Sequence, residues 1–399
     1  MKVLMFGWEF PPFKSGGLGT ACYGLTKGLS RNGVEISFVM PVTPEHAKAD
    51  FVKIIGANTL FKNVTITEID SCLTAYTTEE DYDSFDTQRK EIYGKNLFKE
   101  VSRFTLAAAQ ISSQESYDII HVHDWMTYQA GIIARTLSKK PLIAHIHATE
   151  YDRTGNNPNP SIAKIEKQGL DAANLIIANS NFTKKNVIDH YNITPNKIRV
   201  VHWGIEEDTP AYHLHFSSPL KKERIVLFLG RITLQKGPDY FLEAARKVLE
   251  FEPNTTFVIA GNGDMLPSLM FRTAALGLSQ KVLFTGFLMG DDVHKAFQLA
   301  DLYVMPSVSE PFGLVVLEAL KNGTPVIISK QSGVSEVLKH CLKVDFWDLN
   351  ELVQKIVMVL RNKTLHEELK ENGKKEADTF NLDTPAKKII KIYQEAHYE

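Results

Sequence analysis

Short apolar runs alternate with amphipathic stretches along nearly the whole chain. The runs at 3–7, 35–40, 64–69, 118–122, 142–146, 175–178 and 199–201 are rich in β-branched residues and lack polar alternation. The same holds for 225–230, 256–260, 282–285, 302–305 and 325–328. Such runs predict parallel strands covered on both faces. Segments 18–31, 92–110, 240–249 and 315–321 carry helical periodicity. Alternating β and α elements predict doubly wound α/β sheets. The rhythm breaks at 207–223, where Pro210, Pro219 and mixed charges read as a linker. The pattern predicts two Rossmann-like domains, 1–206 and 224–380, and a final amphipathic helix within 381–399.

Composition narrows the class. The 399 residues are 44% hydrophobic and 23% charged, which excludes a disordered or fibrous chain. Lysine plus arginine is 45 against 47 acidic residues, so the basic excess of a nucleic-acid binder is missing. Cys22, Cys72 and Cys341 are too scattered for a zinc knuckle or a disulfide framework. Reduced thiols and a cytoplasmic location are expected. The first apolar run ends at Glu9 and Pro11 without a cleavage pattern, so it does not read as a signal peptide. No run reaches the ~18 apolar residues of a bilayer span. Contact with a membrane surface stays open.

In parallel α/β sheets, ligands bind beyond the carboxyl ends of the strands. The first such loop holds Lys14, Gly16, Gly17 and Gly19 and leads into a helix. Its glycines permit close backbone approach, and the helix N–H groups attract anions. The spacing is neither Gly-x-Gly-x-x-Gly nor a P-loop, and a tight turn beside a solvated lysine is the simpler alternative.

Two later strands end in His121-Val-His123-Asp124 and His145-Ile-His147. Residues i and i+2 share a strand face, so each pair is side by side. A zinc site would need two strand ends to converge, and no His-x3-His spacing supports one. No metal is therefore expected. His121 and His145 read as core histidines bonded to backbone, whereas His147 and Asp124, farthest along their strands, read as substrate-facing.

The second half carries more charge chemistry. Arg231 and Lys236 share one loop that opens a helix, which suits a doubly charged phosphate; two surface cations are the alternative. Gly261-Asn-Gly263 is another close-approach turn. Glu310 precedes Gly313 and Leu314, where a helix begins, and Glu318 lies inside that helix. The two carboxylates would be roughly 10 Å apart, with free N–H groups between them for a phosphate. The plainer possibility makes Glu310 a helix cap and Glu318 a solvated side chain.

Taken together, Lys-Ser-Gly-Gly-Leu at 14–18, His-Asp-Trp at 123–125, His147, Arg231 with Lys236, Gly261-Asn-Gly263 and Glu310-x7-Glu318 resemble the retaining glycosyltransferases of family 4 and the related glycogen and starch synthases. The resemblance spans nearly the whole chain. It implies a GT-B fold, in which two Rossmann-like domains face each other across a cleft and the final helix returns to the first. It implies a nucleotide-sugar donor, UDP- or ADP-glucose by the Lys14 loop, a hydroxyl acceptor, and no cofactor or metal. Arg231 and Lys236 should then bind the diphosphate, with Gly16 and Gly17 approaching it as well. Glu310 should hold sugar hydroxyls, Glu318 the ribose, and His147 the sugar or reaction centre. Asp124 should face the acceptor or donor sugar.

The chain departs from bacterial glycogen synthases at Phe312, where they carry cysteine, and at Gly19-Thr20, where they carry Ala-Asp. A GT-B epimerase would need an acid/base carboxylate pair in the first domain, and a phosphorylase a cofactor lysine. A non-catalytic sugar-nucleotide binder would lack one of the charged residues, all of which are present here.

Overall fold

The computed structural model of the protein describes residues 1–11, 17–43, 49–58, 97–206 and 223–398. Lys14, Gly16, the expected strand at 64–69 and most of the expected linker lie outside the described residues. The chain divides into two compact units. One holds Met1–Gly204 and Leu382–Glu399, the other Ile205–Asn381. Among the described residues, no helix is long and apolar enough to cross a membrane.

The strands of the first unit are β1 (Lys2–Phe6), β2 (Glu35–Met40), β3 (Lys53–Gly56), β4 (Ile119–His123), β5 (Leu142–Ile146), β6 (Leu175–Ala178) and β7 (Ile198–Val200). They form one parallel sheet in the order β3-β2-β1-β4-β5-β6-β7. Its helices are α1 (Gly17–Arg31), α2 (Leu97–Gln114), α3 (Trp125–Ser138), α4 (Glu150–Thr154), α5 (Pro160–Ala172) and α6 (Asn181–Tyr191). Every residue of β4, β5 and β6 is buried, as an apolar run covered on both faces requires.

The second unit repeats the pattern. β8 (Arg224–Leu229), β9 (Thr255–Ala260), β10 (Val282–Gly286), β11 (Leu302–Met305), β12 (Val326–Ser329) and β13 (Leu342–Val344) form a sheet in the order β10-β9-β8-β11-β12-β13. Its pairs are also parallel. The helices are α7 (Pro238–Phe251), α8 (Leu266–Ala275), α9 (Asp291–Leu299), α10 (Leu314–Lys321), α11 (Leu349–Arg361) and α12 (Lys363–Ala377). Val226, Phe228, Phe241, Phe257, Ile259, Val304 and Ile356 anchor the core between sheet and helices. In both sheets the strand order reverses beside the unit's first strand, which is where α/β sheets place their ligands.

The final helix, α13 (Asp383–Tyr398), belongs to the first unit. It buries Pro385, Ala386, Ile389, Ile392, Tyr393 and Ala396, an apolar stripe at helical spacing. It packs on α1, where a Cβ on Gly28 would come within 2.6 Å of the Leu382 carbonyl. Glycine at that position is what lets the two backbones approach.

Candidate active site

In the first unit, the ends of β4 and β5 carry four buried histidines. The i, i+2 pairs do pack side by side, with ring centroids 4.4 Å apart for His121 and His123 and 4.7 Å for His145 and His147. The hydrogen bonds run across the strands instead. His121 Nε2 lies 3.2 Å from His145 Nδ1, and His123 Nδ1 lies 2.9 Å from His147 Nε2. Tyr393 of α13 reaches His121 Nδ1 at 2.6 Å. The indole of Trp203 stacks on His145 and His147 at 5.0 and 5.3 Å. One expectation is corrected here. His121 and His145 bond side chains rather than backbone, because parallel pairing leaves both rings on the same side of neighbouring strands. His147 and Asp124 lie at the ends of their strands, 6% and 1% exposed, with Trp203 stacked on His147 and Arg153 beside Asp124.

Burial sets the charge of this array. His121, His123 and His145 are held well below the usual imidazole range by burial, with neighbouring histidines adding to it. His147 falls to about 3, from burial first and then from His121 and Arg153. All four are neutral near pH 7. Cys22, His123 and His147 lie close enough for metal donors, as do His121, His123 and His145. Both nitrogens of His121 already have partners, and His147 Nε2 faces His123 rather than a common centre. Five ring nitrogens and the Tyr393 hydroxyl thus serve one another, while His123 Nε2 and His145 Nε2 have no partner among the described residues.

Asp124 joins β4 to α3 with φ at 59°, a conformation that non-glycine residues adopt at a cost. Its Oδ1 accepts the His147 N–H at 2.7 Å, and its own N–H donates to the His145 carbonyl. Asp124 thus clips the two strand ends together. Burial pushes its carboxyl up to about 6, while Arg153 and the N–H groups of His147 and Ala148 pull it down. Arg153 lies 3.7 Å from Asp124 and pairs with Glu150 and Glu166 as well. Glu166 rises to about 7, again from burial, although Arg153 and the Tyr191 hydroxyl oppose the shift. A single arginine among these buried carboxylates leaves the cluster short of positive charge. Gly17 opens α1 and is exposed.

In the second unit, four loops meet beyond the carboxyl ends of adjacent strands. The loop after β8 carries Arg231, whose guanidinium donates to Gln235 at 3.2 Å, and Lys236, whose ammonium pairs with Glu310. The loop after β9 sits directly on it: a Cβ on Gly261 would lie 1.8 Å from the Gly230 carbonyl, and one on Gly263 2.3 Å from the Ile232 carbonyl. The loop after β11 is tied in by Val308 N–H to the Gln235 carbonyl. The loop after β12 bonds both sides of Glu310, through the Gln331 carbonyl and the Gly333 N–H.

Glu310 is buried and does not cap the helix, since its carboxylate goes to Lys236 and Ser307. Gly313 takes the cap position at φ 106° without a side-chain cap. Among the described residues the N-cap position of α10 thus offers its first N–H groups no side-chain acceptor, and the Val316 N–H goes to the Gly313 carbonyl. Glu318 is half-buried in α10. Burial pushes the Tyr303 phenol up, and Glu310 and Glu318 both add to the rise, so the two carboxylates share one neighbourhood. Gln235, Ser307 and Trp203 escaped the sequence reading because none has a motif. Their polar or aromatic contacts exist only once distant loops meet.

Known proteins share this organisation. Residues 15–209 match the domain described as Glycosyltransferase Family 4, and residues 213–376 match Glycosyl transferases group 1. An uncharacterised glycosyltransferase of Methanocaldococcus jannaschii is 30% identical over 411 aligned positions, covering 99% of this chain and 98% of that one. The chain belongs to the glycosyltransferases. D-inositol 3-phosphate glycosyltransferase of Mycobacterium tuberculosis is 33% identical over 246 residues, 57% of this glycosyltransferase and 50% of that relative. The chain thus spans about half the length of that relative. Among solved structures, sucrose-phosphate synthase of Thermosynechococcus elongatus superposes with a TM-score of 0.78 at 18% identity, covering 99% of this chain and 98% of that one. The Anabaena protein HepE, solved with UDP-glucose, gives 0.71 at 19% identity, covering 99% and 100%. The fold of this glycosyltransferase is accordingly of the GT-B type.

Proposed function

We propose that the protein is a retaining hexosyltransferase that moves a hexosyl group, glucosyl by preference, from a nucleoside-diphosphate sugar to a hydroxyl acceptor. The observation that carries this is the pairing of Lys236 with Glu310, 74 residues away, beside the uncapped start of α10. Breaking the anomeric bond leaves extra negative charge on the departing diphosphate. Fixed positive groups aimed at such charge are commonly the largest catalytic contribution. Lys236, Arg231 and the N–H groups after Gly313 supply that charge from the protein. Transfer is therefore read as metal-independent.

In this reading Glu310 fixes the Lys236 ammonium and accepts from sugar hydroxyls, while Glu318 accepts from the ribose. Gly261 and Gly263 keep the floor of the site free of side chains. The acceptor oxygen bonds the anomeric carbon on the face that the diphosphate leaves, and the diphosphate takes the acceptor proton. No carboxylate nucleophile is needed, in contrast to retaining glycosidases. Gly16, Gly17, Asp124 and His147 keep the roles that the resemblance gives them, diphosphate approach for the first two and sugar contact for the last two, and the Lys14 loop favours the glucosyl donor.

The reading is supported by UDP-glucose in HepE and by the glycosyltransferase relatives, and it is tested by incubation with UDP- and ADP-sugars and a panel of acceptors, with and without chelator. A new glycoside with retained anomeric configuration, formed equally with chelator present, is the expected outcome. An epimerised sugar nucleotide, or binding without turnover, would replace it with the epimerase or the non-catalytic reading.

A further inference from the structure

We propose that Tyr393 of the C-terminal helix is a positioning residue that sets the proton placement of the histidine array and thereby holds the ring of His147. The inference rests on the sugar-contact role given above to His147.

The Tyr393 hydroxyl is buried, and His121 Nδ1 at 2.6 Å is its one partner among the described residues. A buried donor left unpaired pays the full cost of its lost hydration. The O–H therefore donates to Nδ1, and His121 carries its proton on Nε2. That N–H donates to His145 Nδ1, 3.2 Å away. His145 in turn carries its proton on Nε2, which has no partner among the described residues. The opposite direction would strand the phenolic O–H and also leave the His145 Nε2 lone pair bare. It has one more unsatisfied group and is disfavoured.

Burial keeps the rings of this chain neutral, so each has one proton to place. One hydroxyl at the end of the chain decides both placements. His145 lies parallel to Trp203, at an angle of 1°. His147 packs against both, 4.7 Å from His145 and 5.3 Å from Trp203, with its edge on His123. A changed tautomer breaks the bond that holds the His145 ring, and a ring that then turns removes one wall of the His147 slot. The C-terminal helix, remote in sequence, is thus wired to the proposed reaction centre.

The test has two arms. In the first, the full-length protein is labelled with ¹⁵N-histidine, and ring-nitrogen spectra are assigned with His121→Gln and His145→Gln. Both His121 and His145 should show the Nε2–H tautomer in the unmutated chain. An Nδ1–H tautomer at His121 overturns the proposal, with no variant or activity required. In the second, Tyr393→Phe keeps the packing and removes only the hydroxyl. It should mix the tautomers and lower kcat roughly 10- to 100-fold, as small misplacements do, while donor KM stays within about twofold. Unchanged kcat, or a loss carried by KM alone, overturns it. A chain inactive on every donor sinks the transfer reading, and the nitrogen spectra then still decide the array.

Discussion

The two units solve the same packing problem with opposite electrostatics. Both are parallel sheets whose strand order reverses beside the unit's first strand, and both gather chemistry beyond the carboxyl ends. The first unit fills that region with neutral imidazoles that hydrogen-bond one another under an indole. The second fills it with a lysine–glutamate pair over glycine turns. The physical reason is the cost of a buried charge. The imidazoles escape it by losing their protons, and Lys236 and Glu310 meet it by pairing with each other. In the proposed reading the second unit meets the donor's anion, and the first places protons and aromatic surface.

The sharpest break in that comparison is Lys236→Ala. Turnover should fall about 10²–10³-fold, as for loss of one group that stabilises transition-state charge. Arg231→Ala should act in the same direction. Lys236→Ala also leaves Glu310 buried and unpaired, which lowers the melting temperature. Adding Glu310→Gln should restore melting but not turnover. Single-turnover rates and thermal melts on the three variants decide the matter, and near-normal turnover in Lys236→Ala would remove the charge role from this loop.

Next in size is Gly261→Ala. The residue sits at φ 146°, and a methyl group would meet the Gly230 carbonyl at 1.8 Å. Strained backbone of this kind costs about 1–3 kcal/mol, and the clash adds to it. Denaturant unfolding should show the loss in the second unit while the signals of the first stay put. Equal stability would mean that the two turns slide apart freely.

Acid should break the first unit before the second. The histidines of the array bind protons in the unfolded chain below about pH 6.5 but not in the folded one, so stability is lost as pH falls through that range. Asp124 and Glu166 work in reverse: their folded carboxyls, at about 6 and about 7, hold protons that the unfolded chain has released. Four imidazoles outweigh two carboxyls, for a net uptake on unfolding of about two protons near pH 5. Melting temperature should therefore drop between about pH 6.5 and 5. Tryptophan fluorescence is a suitable probe, since Trp8, Trp125 and Trp203 are buried in the first unit. A flat profile would mean that the imidazoles are not held neutral.

Much of this was legible in the chain, and the limits have physical causes. The strands at 35–40, 142–146, 175–178 and 302–305 were delimited by their apolar runs alone, because buried parallel strands need no polar punctuation. β3 and β13 were missed: Lys53–Gly56 and Leu342–Val344 are short, partly exposed edge strands. The histidine pairs were seen, but not their partners. Tyr393 lies 272 residues from His121, and only the packing of α13 on the first unit brings them together. Glu310 was read as a possible cap by its place before a helix. Its true partner, Lys236, follows from four loops converging, which no local pattern encodes.

The smallest effect is also the most discriminating between the units. Gly17 is the first residue of α1, and a Cβ there would meet nothing within 4 Å among the described residues. Alanine is the better helix former, so Gly17→Ala should leave melting unchanged or slightly raised. If the glycine is there for packing alone, turnover should not move either. If it is there so that backbone can approach a diphosphate, the added methyl should raise donor KM several-fold in a fully folded protein. Gly261 answers to the fold and Gly17, in this reading, to the ligand. Kinetics and melting on the two alanine variants separate those demands, and a Gly17→Ala protein with unaltered KM would remove the diphosphate role from Gly17.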